Sequence, residues 1–171
     1  MGNEMRQKQK RKTIYAFIDS QNLNLGVLSQ GWVLNFYKFY RYLSDQYHIK
    51  RAYLFIGYIH SNKKLYAYLK DCGYILIFKP TLDYNKYKKK KIKGNVDAEL
   101  VLHAMINFNK FDKAIIVSGD GDFYCLVDYL HKKNKLLKII IPNQKSYSIL
   151  LKEFLNNAVF VTSLKEKLKR R

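Results

Sequence analysis

Ala114-Ile115-Ile116-Val117-Ser118-Gly119-Asp120-Gly121-Asp122-Phe123 is an apolar run that breaks into small residues and two carboxylates. The β-branched Ile115, Ile116 and Val117 suit a strand buried on both faces, and Gly119 and Gly121 permit a sharp turn into a helix. Asp120 and Asp122 therefore fall at the carboxyl end of a strand. In open α/β sheets that edge is where ligands and catalysts sit.

Working outward, residues 13–19 form another apolar run ending on an acid, Asp19, and read as the first strand. Residues 20–26 are polar and read as a turn. Phe36, Phe39, Tyr40 and Leu43 repeat at helical spacing and predict a helix over 35–47. Further strands are expected at 52–59, 74–78, 136–141 and 158–161, and further helices at 62–71, 96–107, 122–132 and 146–155. In the 96–107 helix the stripe Val101, Ala104, Met105 and Phe108 carries Asp97 one turn earlier, so Asp97 should face inward and Glu99 should face solvent. Strand and helix alternate throughout. That pattern predicts an α/β fold, a Rossmann-like three-layer α/β/α sandwich with a mostly parallel central sheet.

The chain of 171 residues suits one domain, placed at 13–162, with a basic flexible arm at 1–12 and a basic tail at 163–171. Lys and Arg number 32 against 13 Asp and Glu, a formal charge of +19. A field of that size attracts polyanions, nucleic acid first and an anionic membrane surface second. No stretch approaches the roughly 20 apolar residues needed to span a bilayer, and no signal segment opens the chain, so a cytoplasmic protein without membrane insertion is expected. Cys72 and Cys125 are too few for a disulfide framework and are expected as reduced, packed thiols. His48, His60, His103 and His131 show no metal-ligand spacing and default to structural roles.

The acids are few and oddly placed. Asp19 and Asp120 end strands, and Asp97 and Asp122 begin helices. If the two strands are neighbours, their ends lie about 4.8 Å apart. Carboxylates so close repel unless a cation neutralises them, and an all-oxygen set suits Mg²⁺ or Mn²⁺. Such an ion supports phosphodiester hydrolysis. The plainer alternative is that these acids cap helices, which for Asp122 accounts for the residue almost as well. Asp128 reads as a helix-surface acid. Phosphate-loop, dinucleotide-loop, zinc-protease and nucleophile-elbow motifs are all missing. Ser118 has no histidine base beside it in sequence, and Gln21 stands where an aspartyl-nucleophile phosphatase needs a second acid.

The set Phe17-Ile18-Asp19-Ser20-Gln21-Asn22-Leu23, Lys93-Gly94-Asn95-Val96-Asp97 and Ile116-Val117-Ser118-Gly119-Asp120-Gly121-Asp122-Phe123 resembles the NYN domain, LabA-like branch, of the PIN-like nuclease superfamily. The resemblance implies a metal-dependent ribonuclease site at the strand C-termini, with Asp19, Asp97, Asp120 and Asp122 at the acidic metal-binding positions. It also implies that Asn22 and Ser118 orient substrate or ligands. Two departures stand out. Asn95 is inserted where the family commonly reads Lys-Gly-Val-Asp, and His103 occupies a position that often carries a further acid.

These readings converge on a metal-dependent endoribonuclease acting on single-stranded RNA with Mg²⁺ or Mn²⁺. The run from Tyr84 to Lys93 offers Lys86, Lys88, Lys89, Lys90, Lys91 and Lys93 to the backbone, and Tyr84 and Tyr87 either to unpaired bases or to aromatic packing under the loop. The alternative is a catalytically weak or inactive RNA-binding module of the same family. A homo-oligomer is compatible with either.

Overall fold

The computed structural model describes residues 11–79 and 96–170. Residues 1–10 of the expected arm, and the whole tyrosine–lysine run, lie outside the described residues. Six strands form one sheet: β1 (Ile14–Asp19), β2 (Arg51–Gly57), β3 (Ile75–Lys79), β4 (Lys113–Val117), β5 (Leu136–Ile141) and β6 (Ala158–Phe160). Their order is β3-β2-β1-β4-β5-β6, and every pairing is parallel. The chain starts in the middle, builds outward to β3, then crosses back to lay β4 beside β1. That reversal is the switch point at which a crevice opens.

Helices α1 (Ser20–Leu28), α2 (Phe36–Tyr47) and α3 (Lys63–Asp71) cover one face, and α4 (Asp97–Ile106) and α5 (Tyr124–Lys132) cover the other. The pleat of β4 explains its unbroken apolar run. Ile115 and Val117 pack with Leu23, Phe39 and Leu54 on one side, while Ala114 and Ile116 pack with Leu100, Phe123 and Val127 on the other. In α2 the Asn35 side chain accepts from the Lys38 N–H at 3.0 Å, Phe39 and Leu43 are buried, and His48 closes the helix in the left-handed conformation. No helix among the described residues is long and apolar enough to cross a membrane.

Several expectations are corrected. Residues 20–26 are not a turn but the start of α1, because the Asp19 carboxylate caps it and Leu23 and Val27 supply a buried i, i+4 pair. α4 is rotated by about one residue from the expected stripe: Val96, Leu100 and Ala104 are buried, whereas Met105 is exposed. Glu99 consequently turns partly inward, 3.8 Å from the Lys79 ammonium. The expected helix at 146–155 is a 3₁₀ helix over Ile149–Asn157, in which Leu151 and Phe154, three apart, share its buried side. The basic tail is no appendage. Helix α6 (Lys165–Leu168) buries Leu168, and the backbone of 168–170 hydrogen-bonds to Val33 and Asn35. Cys72 is buried but Cys125 is exposed.

Candidate active site

β1 and β4 pair through Ile18 and Val117, so the residues that follow, Asp19 and Ser118, emerge side by side. Asp19 is 5% exposed. Its Oδ1 accepts the Asn22 N–H at 3.0 Å, and its Oδ2 lies 3.5 Å from the Ser118 hydroxyl. Ser118 Oγ also accepts the Asp120 N–H at 3.1 Å. At 1% exposure Ser118 has no surface for substrate; its hydroxyl orients the two acids instead. Asn22 ties helix to loop, accepting the Gly119 N–H on Oδ1 at 2.8 Å.

The capping alternative is met by a different residue from the one expected. Asp120, not Asp122, caps the short turn Gly121–Phe123, its Oδ1 accepting the Asp122 N–H at 3.0 Å. Asp122 is exposed in that first turn, with no capping duty of its own. Asp19 and Asp120 are thus both helix caps and members of an acidic cluster, since capping engages only one oxygen of each carboxylate.

Asp97, the first residue of α4, reaches the same place from the opposite side of the sheet. One carboxylate oxygen from each of Asp97, Asp120 and Asp122 lies within 4.8 Å of the other two. Asp19 stands just outside that trio, in a cleft of about 500 Å³ bordered also by Asn22, Asp97 and Asp120. Helix starts at Ser20, Gly121 and Asp97 all meet here, so their N-terminal dipoles offset part of the carboxylate repulsion. The offset is incomplete. Burial above all, with the Asp97 and Asp120 carboxylates adding, pushes the Asp19 carboxyl up from its ordinary 3.8 to about 6, against the lowering pull of the Asn22 and Gln21 N–H groups.

An all-carboxylate set this close, with one member held back from ionising, fits a hard divalent cation. The four acids expected from sequence are therefore brought together. Tyr84, Lys86, Tyr87, Lys88, Lys89, Lys90, Lys91 and Lys93 lie outside the described residues. His103 is no ligand: its ring packs on Phe55, centroids 5.7 Å apart. Sequence reasoning missed the loop after β5. Ser146 borders the cleft and Lys145 borders the ground beside Asp122. The available signal was the polar Asn143-Gln144-Lys145-Ser146 following an apolar strand that neighbours β4.

Carboxylates gathered at the switch point of a six-stranded parallel sheet define a PIN-like α/β domain. The family model of the NYN domain matches residues 13–161, and the chain belongs to that family, within the PIN-like nuclease superfamily. The crystal structure of a protein of unknown function from Vibrio parahaemolyticus RIMD 2210633 shares the fold, with a TM-score of 0.75 and 22% identity over 96% of this chain and 99% of that one. No curated protein matches the chain.

Proposed function

We propose that the protein is a metal-dependent endoribonuclease that cuts single-stranded RNA. The observation that carries this reading is the convergence of Asp97, Asp120 and Asp122 within 4.8 Å beside the buried Asp19. These four would hold Mg²⁺ or Mn²⁺, which supplies positive charge to phosphoryl oxygens and lowers the pKa of water at the site. The chain's own residues do the positioning. Asp120 and Asp19 are held by their caps, Ser118 spaces them, and Asn22 fixes the Gly119 backbone between them.

RNA is favoured by the charge of +19 and by the lysines and tyrosines of the run from Tyr84 to Lys93. Cleavage of a labelled single-stranded RNA should require Mn²⁺ or Mg²⁺ and stop with EDTA. Asp97→Asn and Asp120→Asn should each lower the rate by at least about 100-fold, as removal of a principal electrostatic group does. Wild-type rates in both variants would refute the assignment.

One observation favours the second reading, an RNA-binding module with weak catalysis: His103 packs on aromatic rings where a further acid is common in the family. That reading expects salt-sensitive RNA binding without metal-dependent cleavage.

A further inference from the structure

The loop leaving β5 packs against the C-terminal end of α1 and borders the site beside it. Asn143 is buried, whereas Gln144, Lys145 and Ser146 are exposed. The loop is pinned from several sides: Gln30 Nε2 donates to the Pro142 carbonyl at 2.9 Å, and Asn143 Nδ2 donates to Ser29 Oγ at 3.0 Å. Within it, the Lys145 N–H donates to Asn143 Oδ1 at 2.9 Å, and the Ser148 N–H reaches across to the Gly119 carbonyl at 2.9 Å. Ser146 borders the cleft that holds Asp19, Asp97 and Asp120. Beyond it the surface opens into a shallow depression bordered by Asp120, Asp122, Lys145 and Ser148. Lys145 makes no ion pair among the described residues, although two carboxylates share that depression.

We infer that Lys145, with Ser146 beside it, positions the phosphodiester backbone of the substrate against the acidic cluster. The inference rests on the nuclease reading above and deepens it. One divalent cation neutralises at most half the charge of four ionised carboxylates, so an approaching polyanion still meets a repulsive wall. An ammonium bordering the same depression offsets that repulsion and draws the backbone toward the acids, because its three donors suit phosphate oxygens. Ser146 adds a neutral hydroxyl donor from the same turn. The loop is already ordered by its hydrogen bonds, so little further ordering is needed when the strand binds.

The test uses the full chain and a labelled single-stranded RNA oligonucleotide. Affinity is measured in EDTA across a salt series and cleavage with Mn²⁺, for wild type, Lys145→Ala, Lys145→Arg and Lys110→Ala, the last an exposed lysine near the opposite edge of the sheet. Lys145→Ala should weaken binding about three- to tenfold and reduce the slope of log K against log salt by about 0.7, the value for one lost phosphate contact on a single strand. KM should rise more than kcat falls, and Lys145→Arg should recover most of the loss. Lys110→Ala should match wild type. If wild type cuts RNA and Lys145→Ala binds, responds to salt and turns over like Lys110→Ala, the positioning role is overturned while the nuclease reading stands. If Lys145→Ala loses affinity and slope but no protein cuts, the positioning role stands and the nuclease reading falls. Wild type that neither binds nor cuts removes both.

Discussion

The Asp19 carboxyl titrates near 6 because folding takes it out of water and sets two other carboxylates around it. A carboxyl whose folded pKa exceeds its unfolded value binds its proton more tightly when folded. Its stabilising contribution is therefore complete below about 3.8 and is lost as pH rises to about 6, beyond which the curve from this group is flat. The whole shift corresponds to up to about 3 kcal/mol. Asp19→Asn keeps a capping oxygen for the Asn22 N–H and removes the charge. Urea unfolding in EDTA should show the variant gaining stability relative to wild type between pH 4 and about 6, so that the variant is the more stable protein at pH 7.5. Equal pH slopes for the two would show that Asp19 carries no such strain. The same variant should lose cleavage, since the carboxylate that destabilises the metal-free protein is one proposed to hold the cation.

Helix α1 borders the site and α6 lies away from it, and each is anchored by a packing contact. Helix α1 passes so close to the end of β5 that a Cβ on Gly26 would lie 2.6 Å from Cβ of Pro142. Gly26→Ala gains helix propensity but must push the helix off a stiff ring, and should cost about 1–2 kcal/mol net. A variant that melts at or above the wild-type temperature would contradict that packing. At the other end of the chain, α6 buries Leu168 against the face that holds α2. Leu168→Ala should cost about 2–4 kcal/mol, lowering Tm by several degrees, whereas a solvated tail would tolerate it. The packing of this element was hidden in sequence because five lysines and arginines surround its few apolar residues, and charge count outweighs a single leucine. α1 was hidden for a related reason. Its first turn is polar since it faces the cleft, and only the strand to be covered shows that Leu23 and Val27 point inward. α2, α3 and α5, by contrast, bury the periodic residues their sequences display.

At the scale of the molecule, the proposed metal site and the fold share the same acids. A divalent ion at 100 times its dissociation constant should add about 2.7 kcal/mol of stability, or roughly 5–10 °C in Tm. Mn²⁺ should raise the Tm of wild type, and Asp97→Asn should abolish most of that rise. A rise that survives the substitution would place the ion elsewhere. The alternation of strands and helices, the two strands ending in acid and the acids at two helix starts were all legible in sequence, because periodicity and chain breaks are local properties of neighbouring residues. So was the membership of Asp19, Asp97, Asp120 and Asp122 in one set, through motif resemblance. Only the tertiary structure decided which acid caps which turn, how far α4 rotates, and that Lys145 borders the same depression as Asp120 and Asp122. Those outcomes depend on β4 pairing with β1 and β5 pairing with β4, contacts between residues 99 and 22 or 23 positions apart, whose burial no local pattern records.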